Sequence, residues 1–178
     1  MVRTLGLLIG LVVSWVPGFA FADTPRQVTL EYRISKAGIT IGTVRESFTR
    51  EDDRYRIVSE TRTAGPVRVF LKDKLSVTSE GRIGPAGLIP ERHAFQRERD
   101  THRNLTSTFD WAARQIQTTF EGSSRPESFE LPPGTQDRVS AMYQFMFRAP
   151  QSESVATWMS QGKKAEHYQY RRAGAESL

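Results

Sequence analysis

Apolar and polar residues alternate along almost all of this chain, and a period of two leaves few folds open to it. Val28, Leu30, Tyr32 and Ile34 alternate with Thr29, Glu31, Arg33 and Ser35. This predicts a strand with one buried face and one wet face. Lys36-Ala37-Gly38 turns the chain, and Ile39 and Ile41 begin a second strand. The apolar parity changes at Gly42, after which Val44 and Phe48 carry it, as a β-bulge would require. Glu51 to Arg54 is a polar turn, and Asp52-Asp53 there is turn chemistry. Tyr55 and Ile57 open a third strand. Val67, Val69 and Leu71 share a parity that Leu75 and Val77 resume, which predicts one long bent strand or a tight hairpin. Ile89 to Arg97, then Leu105, Phe109 and Trp111, then Ile116 and Phe120 mark further strands.

Turns this frequent suit an antiparallel meander and not alternating βαβ units. Long twisted strands with bulges curl. The expected fold is therefore mainly β: an antiparallel curved sheet or half-barrel. One stretch departs from the pattern. After Pro132-Pro133-Gly134, Thr135 or Asp137 can cap a helix, and Val139, Met142, Tyr143 and Met146 follow at helical spacing. A segment this apolar predicts one buried helix near 136–148, seated in the concave side of the sheet.

The beginning of the chain has a different character. Arg3 precedes an apolar stretch from Leu5 to Val16, Pro17-Gly18 breaks it, and Ala20-Phe21-Ala22 offers the small-x-small pattern of a cleavage site. Residues 1–22 read as a signal peptide cut after Ala22, and residues 23–178 as a single β-rich domain. The stretch is shorter than the roughly 20 apolar residues a membrane span needs. The expectation is a periplasmic protein with no transmembrane span after cleavage. It has no cysteine, so disulfide and thiol chemistry are excluded. At the other end Tyr168, Tyr170, Arg172, Gly174, Glu176 and Leu178 keep one parity to the last residue. That reads as a domain cut short, with an open edge able to accept a strand from a partner.

The net charge is +5, but the charges alternate in sign, as in Arg97-Glu98-Arg99-Asp100. A nucleic-acid surface would gather them on one face with aromatics between, so nucleic acid is not an expected partner. The histidines are His93, His102 and His167. Glu91, Asp100 and His102 could approach across a hairpin, but no compact ligand motif joins them, so neither metal nor cofactor is expected. There is no Gly-x-Ser-x-Gly and no glycine-rich phosphate loop. The expectation is a non-enzymatic role, in binding or in support of the cell envelope. The alternative is a hydrolase acting on an envelope polymer. A curved sheet with an apolar helix can enclose a cleft for a lipid or other apolar small molecule. Tyr32, Phe48, Phe109, Trp111, Met142, Tyr143 and Met146 are the candidates to line it. The same seven side chains suit an ordinary core.

Several short motifs point one way. They are Tyr32 with Lys36-x-Gly38 and Ile41-Gly42; Glu80-Gly81-x-Ile83 followed by Gly87-Leu88-x-Pro90; and Phe109-Asp110-Trp111. Gln136-Asp137-Arg138-Val139-Ser140 and Gly174-x-Glu176-x-Leu178 complete the set. Together they resemble a family of exported bacterial proteins known as domain of unknown function 3108. The resemblance implies a β-rich periplasmic or surface-facing protein that continues through further strands, and it carries over no catalytic residue. In outline the expected fold is also similar to lipoprotein carriers, in which a curved sheet holds a plugging helix.

Overall fold

The computed structural model describes residues 25–69, 73–147 and 154–171. The cleavage site at Ala20 and Ala22 and the parity run beyond Arg171 lie outside them. Eight strands follow one another as an antiparallel meander: β1 (Gln27–Lys36), β2 (Ile39–Glu51), β3 (Arg54–Thr63), β4 (Lys74–Gly84), β5 (Gly87–Arg97), β6 (Leu105–Asp110), β7 (Gln115–Phe120) and β8 (Glu127–Glu130). Each pairs with the next, so β1 and β8 are the edges of an open sheet. A second sheet holds β9 (Gln136–Asp137), β10 (Ser154–Ser160) and β11 (Ala165–Arg171), with β10 central. The fold is mainly β, with a single short helix among the described residues.

Register explains the curvature. Ile34 pairs with Gly42 but Ser35 pairs with Thr40, so Ile41 is the extra residue of a bulge beside Gly42. A second bulge falls where Glu80 pairs with Arg92 and Gly81 with Pro90. The outer face carries cross-strand ion pairs, among them Glu31–Arg45 at 3.0 Å and Arg82–Glu91 at 2.6 Å. All are exposed or half-exposed, so they contribute little stability and mainly keep this face wet. The inner face holds the core: Phe48, Tyr55, Ile57 and Leu88 with Val139 and Tyr143, joined at the margin by Val28, Val77, Ile83, Met146 and Phe147. A second, smaller cluster is Phe109, Ile116 and Leu131, with Trp111 and Phe129 against it.

Three expectations need correction. First, β1 has no buried face. Leu30 is 45% exposed, Tyr32 49% and Ile34 38%, because β1 is an edge strand and the inner-face plug reaches only Val28 on it. Second, Val67 and Val69 belong to no strand. Residues Gly65–Val69 form a 3₁₀ turn. Gly65 sits at φ +65°, where a Cβ would meet the Thr40 carbonyl oxygen at 2.1 Å. Pro66 then holds a helical φ at the first turn. Leu71 lies outside the described residues. Third, the helix is short, and Met142 drops out of its buried face. Only α1 (Ser140–Tyr143) is α-helical, followed by a 3₁₀ turn over Gln144–Phe147. Met142 faces solvent at 59% exposure, while the polar Gln144 is 6% exposed.

Candidate functional site

The inner face is closed by the plug, residues 136–147, and the plug is held by polar chemistry. Asp137 is fully buried. Its Oδ1 accepts the backbone N–H groups of Val139 and Ser140, each at 2.9 Å, and its Oδ2 accepts the Ser79 hydroxyl at 2.5 Å. The Ser140 hydroxyl returns the exchange by accepting the Asp137 N–H at 2.9 Å. This is a reciprocal cap on the first turn of α1, anchored to the middle of the sheet. Tyr55 shares a 3.0 Å hydrogen bond with Ser79. Burial, and then the Asp137 charge, push the Tyr55 hydroxyl well above the ordinary tyrosine range.

Gln144 locks the other end. Its Oε1 accepts the Leu88 N–H at 2.7 Å and its Nε2 donates to the Ala86 carbonyl at 2.8 Å. Gly87 lies between them at φ +108°, and a Cβ there would meet the Gln144 amide at 2.5 Å. Gln136 donates to the Leu88 carbonyl at 2.9 Å, and the Trp111 indole donates to the Pro90 carbonyl at 2.7 Å. The Gly87-Leu88-x-Pro90 and Gln136 to Ser140 motifs therefore meet around one seat. They hold the plug on the sheet.

Ser79, His93 and Asp137 are the residue types of a hydrolytic triad, but their geometry is different. Ser79 bonds Asp137 directly, and His93 bonds neither, although it pairs with Ser79 in register. Ser79 and Asp137 are sealed from solvent and His93 nearly so. The His93 Nε2 is buried with no hydrogen-bond partner among the described residues. Burial holds the His93 pKa below the ordinary histidine value, with Arg138 adding to that and Asp137 opposing it. A sealed serine bonded to a carboxylate cannot meet a substrate carbonyl.

Beyond the plug the inner face is open. Glu46 lies on it between Leu30 and Ser59 in register. Its Oε1 accepts the Ser59 hydroxyl at 2.8 Å and the Tyr32 hydroxyl at 3.1 Å, and its Oε2 accepts the Tyr143 hydroxyl at 3.3 Å. Burial, and then Glu46, raise the pKa of both tyrosines. Around this polar node stand Leu30, Tyr32 and Ile34 on β1, and Ile39 at the start of β2 is also exposed. The result is an apolar shelf with one carboxylate in its floor, bounded on one side by the plug.

The seven cleft candidates do not gather in one place. Phe48 and Tyr143 stack in the main core at 5.6 Å between centroids, with Met146 against that cluster. Phe109 and Trp111 stack at 6.4 Å in the second cluster. Tyr32 stands on the open shelf, and Met142 points away to solvent. A hollow of about 550 Å³ takes only Tyr32 from the seven, and its remaining wall is mostly charged: Glu31, Arg33, Arg45, Glu60 and Arg62. It lies on the charged side of the strands. His102 falls in a 3₁₀ turn, and Glu91 pairs with Arg54 and Arg82 on the outer face. Among the described residues no three His, Asp or Glu side chains are placed to hold a metal. No helix among them is long and apolar enough to cross a membrane.

Sequence reasoning missed Glu46, Gln136 and Gln144. Glu46 did leave a signal: it is a carboxylate at an inward parity position between Val44 and Phe48. The two glutamines left none, because their partners are backbone groups of a distant turn.

An open, curved antiparallel meander with a short plug across its inner face defines a mainly β protein. The family model described as Protein of unknown function (DUF3108) matches residues 29–178, and the chain belongs to that family. No curated protein and no solved structure matches it significantly.

Proposed function

We propose that this is a periplasmic, non-enzymatic binding protein that holds an apolar or lipid-like ligand against the open shelf of its inner face. The observation that carries this reading is the exposure of Leu30, Tyr32 and Ile34 in a row on one strand. Contiguous apolar surface rimmed by polar groups marks an interaction site. The exported character of residues 1–22 supports an envelope location. The sealed Ser79–Asp137 pair supports binding over hydrolysis of an envelope polymer.

The Glu46 carboxylate sets the preferred head group. It already accepts three hydroxyl donors and has no cation against it among the described residues. A cationic or hydroxylic head is favoured there, and a carboxylate head is repelled. Titration with dodecylamine and dodecanoate, followed by tryptophan fluorescence or calorimetry, tests this. Saturable binding of dodecylamine, weakened about tenfold or more by Ile34→Glu, is the expected result. Absence of saturable binding for both probes would overturn the reading.

A further inference from the structure

We propose that β1 is the dimerisation edge of this protein, pairing antiparallel with β1 of a second copy about a two-fold axis at Tyr32. Three observations converge on this.

The first is backbone that no other described residue pairs with. The Arg50 N–H donates to the Arg26 carbonyl at 2.8 Å. That bond sets the phase of the ladder, so even-numbered residues of β1 direct their backbone groups at β2. Thr29, Glu31, Arg33 and Ser35 direct theirs away from the sheet. All four are exposed, and β1 is ten residues long with no proline. Natural edges are usually short, bulged or charged against such pairing. The opposite edge, β8, fits that rule: it has four residues and carries Glu127 and Glu130.

The second observation is charge. With the axis at Tyr32, Glu31 stands opposite Arg33 of the second copy, and the reverse contact follows by symmetry. On the outer face Glu31 already pairs with Arg45 at 3.0 Å, and Arg45 stands opposite Glu60. The second copy's Arg33 continues that alternation by one residue. Arg33 has no ion-pair partner among the described residues. Moving the axis two residues either way puts Glu31 opposite Thr29 or beyond the strand, and the charge match is lost.

The third observation is the inner face. The same axis sets Leu30 opposite Ile34 and Tyr32 opposite itself. The Tyr32 pair falls at a non-hydrogen-bonded position, where side chains approach most closely. Glu31 and Arg33 fall at hydrogen-bonded positions, using the backbone groups that β2 leaves free. The exposed row Leu30–Tyr32–Ile34 then meets its own copy, and the two shelves join across the axis.

Dimerisation of this kind needs no ligand, so its test is separate from the titration above. Sedimentation velocity of the full chain across a concentration series is expected to show a monomer–dimer equilibrium. Arg33→Glu places like charges opposite each other and should weaken the dimer about tenfold or more. Glu31→Arg should do the same, and the double swap Glu31→Arg/Arg33→Glu should restore it to within about threefold. Both side chains are exposed on the outer face, so the monomer should keep its circular dichroism spectrum. Hydrogen exchange should show the Glu31 and Arg33 amides protected only as the dimer forms. A monomer at every concentration would overturn the proposal. So would a dimer indifferent to the single swaps, a double swap that fails to recover, or Glu31 and Arg33 amides protected in a monomer, which would place another segment on that edge.

Discussion

The buried Asp137 carboxylate holds three separate donors: Ser79, Val139 N–H and Ser140 N–H. Deleting it leaves the two backbone N–H groups buried and unpaired and leaves Ser79 only Tyr55 as a partner. Asp137→Ala should therefore cost about 3 kcal/mol or more, well above an ordinary cap loss. Thermal or urea unfolding measures it. His93 is the complementary case, a buried base whose protonation the fold resists. Its folded pKa lies below the ordinary 6.5, so the unfolded chain takes up the proton first. Stability from this residue is complete above about pH 6.5 and is lost as pH falls toward the folded value. Urea midpoints across pH 5 to 7.5 should fall toward acid in the native protein, and His93→Phe should flatten that fall. An unchanged slope would remove His93 from the acid response. The sequence placed His93 on a strand and offered Asp137 as a cap. Their mutual approach was hidden, because it depends on the plug folding back over strands far away in the chain.

At the scale of elements, the strands and the presence of a plug near 136–148 were legible, and the settings of Met142 and Gln144 on it were not. Alternation located β1, β2, β3 and β5 because each side chain's face follows from the pleat alone. The helical stretch was read as buried on the Val139, Met142, Tyr143 and Met146 side. Val139, Tyr143 and Met146 do join the core, but Ser140 and Gln144 are buried beside them and Met142 faces water. Hydrophobicity was outweighed by two backbone groups in the β4–β5 turn that needed an amide to pair with. The reversal makes a sharp prediction. Met142→Lys should change stability by less than about 0.5 kcal/mol. Gln144→Leu, although it adds apolar volume, should destabilise by about 2–4 kcal/mol by leaving the Leu88 N–H and Ala86 carbonyl unpaired. Chemical denaturation of the two variants should rank them in that order, and the opposite ranking would return Met142 to the buried face its apolar spacing suggested.

Taken whole, the molecule is an open sheet whose inner face is half covered. From Phe48 toward β5, residues 136–147 close it; from Glu46 out to β1, nothing among the described residues does. That division explains why the seven apolar candidates separated into two cores, a shelf and a solvent-facing methionine. Residue type alone cannot distinguish these settings, since a core and a cleft draw on the same side chains. Of the motifs that carry the family resemblance, Gly87-Leu88-x-Pro90 and Gln136 to Ser140 lie on the plug seat, and these report how the sheet is closed. The shelf, with its carboxylate ringed by hydroxyls, is the place of the proposed ligand. Native mass spectrometry of the protein expressed from Met1 in a bacterial host tests this proposal most directly. The account predicts a chain beginning at Asp23 that carries an apolar adduct, and an adduct lost on Leu30→Glu/Ile34→Glu substitution while the fold persists. A bare polypeptide mass for the native chain, or an adduct that survives the double substitution, would contradict it.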